Sequence, residues 1–67
     1  MAVARVTEIT ASSPKSIEGA VEEGLKRAAR TLRGITGIEV VAVKAKVDKG
    51  RIREYRVSLK ITFVLED

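Results

Sequence analysis

The 67-residue sequence predicts an α+β domain in the order strand, helix, strand, strand. In residues 3–10 ("VARVTEIT") and again in residues 51–66 ("RIREYRVSLKITFVLE"), β-branched or apolar residues alternate with polar ones, as is typical of strands. Between these stretches, apolar residues recur at helical spacing over residues 17–32. No linker, repeat or low-complexity segment interrupts the pattern, so we expect one domain over residues 1–67.

The first strand gives way to the helix at "ASSPKS". Ser13 followed by Pro14 predicts a helix start, because a serine hydroxyl caps a free N–H and proline suits the first helical position. Glutamates lie in the first half of the helix and lysines and arginines in the second, as the helix dipole prefers. Small residues such as Gly24 and Ala28 predict close packing against a sheet. Gly34 is expected to end the helix in the left-handed conformation.

Residues 37–47 ("GIEVVAVKAKV") predict a second strand, residues 48–50 ("DKG") a tight turn, and residues 51–66 the third strand. A right-handed helical crossover leaves the first and second strands parallel, so the third must run antiparallel between them. The predicted fold is therefore a β-α-β-β subunit with a three-stranded antiparallel sheet in the order 1-3-2, wrapped on one helix.

The length of the third strand predicts self-association. A strand of about 15 residues is roughly 50 Å long, whereas a compact chain of this size is about 28 Å across. The strand must bend or extend beyond its own subunit, and its sheet has a face and edges to cover. The chain has no cysteine and no histidine, which excludes disulfides and the common zinc sites as stabilising elements. We expect an obligate homo-oligomer.

Composition narrows the function classes. The net charge of +4 admits anionic partners, but the basic residues are interleaved with acids, and one Phe and one Tyr offer little stacking surface, so nucleic acid is not favoured. No apolar run reaches membrane-spanning length and no signal peptide is present, which indicates a cytoplasmic protein without a membrane partner. No serine has a histidine to activate it, and no Walker or Rossmann motif occurs, so we expect no enzyme.

Two further patterns leave binding hypotheses open. Gly34-x-x-Gly37 resembles the GxxG loop with which KH domains clamp RNA, although that loop joins two helices and Gly37 precedes a strand. Acidic residues repeated around a symmetry axis would form a cluster of hard oxygen ligands for Ca²⁺ or Mg²⁺. The candidates for such a metal site are Glu39, Asp48 and Glu54, which the sequence does not rank.

Three stretches, "VTEITASSPKSIEGAV", "LKRAARTLRGITGIEVV" and "YRVSLKITFVLED", together resemble the dodecin family over nearly the whole chain. The "SSP.S...A" helix start, the "RA..TLR.I..IEV" joint and the "LK..F.LED" ending occur at family spacing. The resemblance implies a hollow homododecamer of β-α-β-β subunits that binds or stores a small ligand, which is flavin in the best-known branch.

The resemblance also implies a changed pocket. Flavin-binding dodecins carry a stacking tryptophan where this chain has Gly37, and a flavin-bonding glutamine where it has Arg56. Lys44 corresponds to the family's basic residue for a ligand phosphate. Losing stacking and amide contacts should weaken flavin binding at least a hundredfold to a thousandfold. The flavin-free calcium dodecins share the missing tryptophan and the arginine, which implies Ca²⁺ rather than flavin; a flavin-storage protein with a modified pocket is the alternative.

Overall fold

The computed structural model describes residues 2–65 and contains four elements. These are β1 (Ala4–Ser13), α1 (Ile17–Ala28), β2 (Ile35–Asp48) and β3 (Arg51–Val64). The strands form one antiparallel sheet in the order β1-β3-β2. The predicted element order and sheet order are therefore confirmed. Within residues 2–65, no helix is long and apolar enough to cross a membrane.

The first two strands are longer than their sequence patterns indicate. β1 continues past Thr10 through "ASS", because these three residues pair with β3 as far as Ser13 opposite Tyr55. β2 begins at Ile35, opposite Phe63, rather than at Gly37. Pairing with β3 thus extends β1 into alanine and serines, which have little strand propensity, whereas β2 gains Ile35 and Thr36, which are β-branched and favour strands. Glu66, the predicted end of the third strand, lies outside the described residues.

The helix begins three residues later than Ser13 and Pro14 predict. Ser16 is the N-cap, with extended backbone, and its Oγ accepts a hydrogen bond from the Gly19 N–H at 2.9 Å. Ser13 ends β1, and its Oγ accepts bonds from the N–H groups of Lys15 (3.1 Å) and Ser16 (3.4 Å). The prediction of a Ser13 cap was wrong because the hydroxyl of Ser13 closes the strand-to-helix turn instead.

The end of the helix also differs from the prediction. α1 stops at Ala28, and the N–H groups of Thr31 and Leu32 bond to the Ala28 carbonyl in the turn that follows. Gly34 is left-handed (φ 73°), but it lies immediately before β2, where its carbonyl accepts the Val64 N–H at 2.9 Å. A Cβ at Gly34 would lie 2.9 Å from the Val64 carbonyl oxygen. This glycine therefore serves the junction with β3, not the helix C-terminus.

The core lies between α1 and the middle of the sheet. Val57, Leu59 and Ile61 of β3 are fully buried, together with Ala20 and, slightly less, Ala28 of α1. The helix lies so close that a Cβ on Gly24 would be 2.9 Å from Leu59 Cδ1 and 3.0 Å from Ala11 Cβ. The small residues of α1 thus allow the close packing that their spacing predicts.

Much of the sheet extends beyond this core. The molecule measures 52 × 19 × 13 Å, so its length matches the roughly 50 Å expected for the third strand. α1 packs mainly on β1 and β3, and Ile38, Val40 and Val43 of β2 remain exposed. Lys49 and Gly50, both with positive φ, form the tight turn between β2 and β3.

Candidate ligand site

Five of the six site residues named from the sequence lie on the face of the sheet opposite α1, and the sixth, Asp48, lies at the end of β2 beside the hairpin turn. Leu59 and Ala11 contact the helix face, so the alternate residues of each strand point to the other side. We call this other side the polar face; it is defined by the residues Glu8, Thr10 and Ser12 of β1, Gly37, Glu39, Ala42, Lys44 and Lys46 of β2, and Glu54, Arg56, Ser58, Lys60 and Thr62 of β3.

Gly37 lies in open space on the polar face. It is paired with Thr62 on β3, and a Cβ built on it would meet nothing within 4 Å. Its φ is not positive, so the backbone does not require glycine here. In this respect Gly37 differs from Gly24 and Gly34, where added side-chain atoms would collide with neighbours. The subunit fold alone would accept a large side chain at position 37.

Arg56 and Lys44 form a cationic pair of positions at the other end of the polar face. They are directly opposite each other on β3 and β2. The Arg56 Nε–H donates to Glu54 Oε2 at 2.6 Å, and the arginine side chain remains 51% exposed. This bond uses one edge of the guanidinium, so its terminal N–H groups are available to an anionic group, which arginine binds in bidentate fashion.

A single chain does not bring these three positions together. Gly37 is opposite Thr62, six positions from Arg56 along β3, so about 20 Å separates them at the usual rise per residue. A ligand that touches both Gly37 and the Lys44–Arg56 pair must therefore use residues from two copies of the chain, or be about 20 Å long.

The three acidic candidates for a metal site are also apart from one another. Glu39 is opposite Lys60, Asp48 is opposite Arg51, and Glu54 is bound by Arg56. Among residues 2–65, no group of three or more acidic side chains could hold a metal ion. Glu54 is ion-paired with Arg56, which neutralises charge that would attract Ca²⁺, whereas Glu39 and Asp48 only have a basic residue opposite them on β3.

The Gly34-x-x-Gly37 element is not a loop of the RNA-clamping kind. Gly34 belongs to the connection after α1, whereas Gly37 lies inside β2 and pairs with Thr62. The two glycines therefore sit in different parts of the fold, and no second helix follows them as far as residue 65.

Two features of the structure escaped the sequence analysis. Glu54 is the partner of Arg56, a pairing that the E-x-R spacing indicates once both residues are placed on the same face of a strand. A groove of about 620 Å³ also runs between α1 and β1, with Ile9, Ala11 and Leu32 below and Glu23 and Arg27 on the helix side. None of the family pocket positions lines this groove.

Comparison with known proteins matches this geometry to one family. The model of the Dodecin family matches residues 3–66. A dodecin from Thermus thermophilus is 31% identical over 65 residues, which cover 97% of this chain and 94% of that protein. The dodecin structure from Streptomyces coelicolor has a TM-score of 0.94 at 35% identity, covering 98% of this chain and 94% of the other.

A calcium dodecin is also similar. The structure of a calcium-chelating antigen from Mycobacterium tuberculosis, described with a novel calcium-binding site, has a TM-score of 0.83 at 32% identity. The alignment covers 96% of this chain and 91% of that protein. Since both the family model and these relatives span nearly the whole chain, the protein belongs to the Dodecin family.

Proposed function

We propose that this protein is a single-domain, non-enzymatic subunit of a homododecameric cage that binds or stores a small ligand or ion, with Ca²⁺ favoured over flavin. The observation that carries the proposal is Gly37. The position of the family's stacking tryptophan has no side chain, its surroundings are open, and the chain contains no tryptophan elsewhere. A flavin ring would lose its aromatic partner and the buried area that comes with it.

The second departure is Arg56, where flavin-binding relatives carry glutamine. A guanidinium only donates hydrogen bonds, so it cannot reproduce the acceptor of an amide. Its Nε–H is also committed to Glu54 at 2.6 Å. The polar edge of a flavin would therefore meet a donor-only group that is already partly engaged.

Flavin titration tests the negative half of this proposal. Riboflavin and FMN fluorescence should remain unquenched at micromolar concentrations of the assembled protein. The control is the variant that combines Gly37→Trp with Arg56→Gln, which restores both family residues. The two single variants complete a double-mutant cycle, which measures how far the two substitutions depend on each other.

The double variant should bind flavin at least a hundredfold more tightly than the natural chain, as read from fluorescence quenching. This corresponds to a difference in binding free energy of about 3 kcal/mol or more. Because Gly37 has open space around its Cα, we expect the tryptophan to be accepted without loss of the fold. A double variant that assembles but leaves flavin fluorescent would show that our assignment of the pocket is wrong.

Ca²⁺ is supported by similarity to the calcium dodecin and by the acids of the polar face and hairpin, Glu39, Asp48 and Glu54. Among residues 2–65 these acids do not cluster in one subunit, so a Ca²⁺ site would need acids from several copies around a symmetry axis. Because Arg56 already binds the carboxylate of Glu54, Glu54 is the least available of the three acids for a metal ion.

Calorimetry with Ca²⁺ tests this site. Ca²⁺ added to the natural protein should give a measurable heat of binding, and a chelator should remove it. The variants Glu39→Gln, Asp48→Asn and Glu54→Gln each remove one acid, and the heat should be lost in any variant whose acid is a Ca²⁺ ligand. Arg56→Gln is the matched probe for Glu54: it frees the carboxylate and should tighten Ca²⁺ binding only if Glu54 binds the ion. If Ca²⁺ gives no heat of binding and the native mass of the assembly does not change when a chelator is added, Ca²⁺ binding is contradicted.

A modified flavin site is the second candidate, and the Lys44–Arg56 pair favours it. Two cations opposite each other on neighbouring strands suit a phosphate group. This candidate predicts that FMN binds more tightly than riboflavin and that Lys44→Ala removes the difference. Equal and undetectable binding of both flavins would exclude it.

A further inference from the structure

The two edges of the sheet differ in regularity. β2 is one edge, and its pairing with β3 is interrupted by three register shifts. β1 is the other edge, and its ten residues pair with β3 in unbroken register from Ala4 to Ser13. Bulges hinder an edge from pairing with a further strand, whereas a regular edge can still pair. β1 is therefore the edge at which the sheet can accept another strand.

The outer edge of β1 carries backbone groups that β3 does not use. Within residues 2–65, β1 pairs with no strand other than β3, and in an antiparallel ladder only alternate residues bond to a given neighbour. The segment from Thr7 to Ser12 contains one charged residue, Glu8, and no proline, so it lacks the usual protection of an edge. An extended segment could hydrogen-bond here without displacing the bonds to β3.

The groove of about 620 Å³ between α1 and β1 lies along this same edge. Thr7 and residues 9–12 line it from β1, and Ile9, Ala11 and Leu32 give it half-buried apolar surface. Because the side chains of a strand alternate, an added strand would place every second side chain on the groove side and the others beside the polar face. The groove thus supplies side-chain contacts to the segment that the edge of β1 would hydrogen-bond.

Two opposite charges line the helix side of the groove. Glu23 and Arg27 are both exposed, and within residues 2–65 neither belongs to an ion pair. They are four residues apart on α1, which corresponds to about 6 Å along the helix axis. Neighbouring side chains on one face of a strand are about 6.8 Å apart. Two successive groove-facing side chains of an added strand therefore match the spacing of the two charges.

The course of α1 sets the order in which an added strand meets these charges. Gly19 lies beside Ser13, and Gly24 lies beside Ala11, so the helix runs back along β1. The glutamate is therefore nearer the end of β1 and the arginine nearer its start. Every strand pair in this sheet is antiparallel, which is also the more stable arrangement for an added strand. Such a strand would meet the glutamate first and the arginine second.

We propose that the groove between α1 and β1 binds an extended segment of a partner protein as a fourth strand, antiparallel to β1. Backbone hydrogen bonds to β1 provide the affinity, and side chains in the groove provide the selectivity. The segment carries a basic, an acidic and an apolar residue at successive groove-facing positions, which face Glu23, Arg27 and Leu32 in that order. This inference goes beyond the proposed cage, because the groove contains none of its pocket positions.

Fluorescence anisotropy of a labelled peptide tests the proposal on the natural full-length chain. The probe is Thr-Lys-Thr-Glu-Thr-Val-Thr, and the control peptide Thr-Glu-Thr-Lys-Thr-Val-Thr has the same composition with the two charges exchanged. The natural chain should bind the probe about tenfold more tightly than the control peptide at low salt, because the exchange turns two attractive charge pairs into repulsive ones.

Two variants that keep the net charge locate the site. The combination of Glu23→Arg with Arg27→Glu should reverse the preference, so that the control peptide binds more tightly than the probe. The combination of Glu22→Lys with Lys26→Glu makes a similar exchange at residues that do not line the groove, and it should bind both peptides as the natural chain does. If the first variant does not fold, the two peptides and the natural chain still decide the question.

Hydrogen exchange tests the pairing with β1 directly. The probe should slow exchange at least about tenfold at those amides of residues 7–12 that face away from β3. The proposal is overturned if the probe does not bind the natural chain up to about 1 mM. Equal binding of the two peptides, or unchanged exchange along β1, also overturns it. If neither peptide binds and the exchange at Glu23 and Arg27 alters the native mass, the groove is instead a contact between copies of this chain.

Discussion

β2 and β3 run through both the middle of the sheet and the arm of residues 43–53, but the two regions have opposite surroundings. In the middle, Val57, Leu59 and Ile61 of β3 lie beneath α1 and are inaccessible to solvent. In the arm, Val47 and Ile52 have similar side chains and are more than half exposed. The difference teaches that one helix covers only part of the sheet in a molecule 52 Å long, so the subunit buries its centre and leaves its ends exposed.

The largest loss of stability is expected when a core side chain is truncated. Leu59→Ala removes a fully buried side chain in contact with α1 and should lower the free energy of unfolding by about 2 to 5 kcal/mol. Val3→Ala, at a residue that is 65% exposed, is the matched truncation and should change it by no more than about 0.5 kcal/mol. Denaturant titration at one protein concentration measures both. Similar losses in the two variants would mean that β3 is not the centre of stability.

Two glycine-to-alanine substitutions compare a packed position with an open one, and their expected effects on stability are smaller. In Gly24→Ala the new methyl would lie 2.9 Å from Leu59 Cδ1 and 3.0 Å from Ala11 Cβ. Overpacking should outweigh the gain in helix propensity and leave a net loss of about 1 kcal/mol. Gly37→Ala meets nothing and should keep or raise stability by up to about 1 kcal/mol.

Thermal unfolding of both glycine variants gives the comparison. A stabilised Gly24→Ala would show that α1 can move away from the sheet. A destabilised Gly37→Ala would show that another copy approaches Gly37 closely in the assembly, because its own subunit places no atom there.

The smallest effect concerns the entry to α1. Ser16→Ala removes the hydroxyl that accepts the Gly19 N–H and should cost about 1 kcal/mol. Ser13→Ala removes the longer turn bonds to Lys15 and Ser16 and should cost less. Unfolding curves of the two alanine variants rank them. The reverse order would return the capping role to Ser13.

The sequence predicted the fold well because its signals are periodic and local. Alternation along residues 51–66 and helical spacing over residues 17–32 identify a long strand and a helix, and the order 1-3-2 follows from the handedness of the crossover. The ends of the elements were less predictable. Ser13 and Gly34 have the residue types of a cap and a helix stop, yet hydrogen bonds to distant residues or to a turn assign them other roles.

The candidate site shows a similar division. The resemblance predicts Gly37, Arg56 and Lys44 as pocket positions, and the register places all three on the polar face. The sequence did not indicate that Gly37 lies about 20 Å from Arg56, or that Glu54 holds the guanidinium. The distance depends on which residues face each other across strands, and cross-strand register is a property of the whole sheet. Glu54 and Arg56, by contrast, lie two positions apart on β3.

The sequence by itself therefore determined the subunit architecture and the absence of any tryptophan or glutamine from the chain, and it predicted more strand than one helix can cover. Only the tertiary structure decided that Ser16 caps the helix, that Gly34 serves the β3 junction, and that Gly37 stands in open space. The physical reason is distance along the chain. Periodicity and turn chemistry act between near neighbours. The pairing of β1 with β3 as far as Ser13, which leaves the cap to Ser16, and the contact of Gly34 with Val64 are settled by residues far apart in the chain.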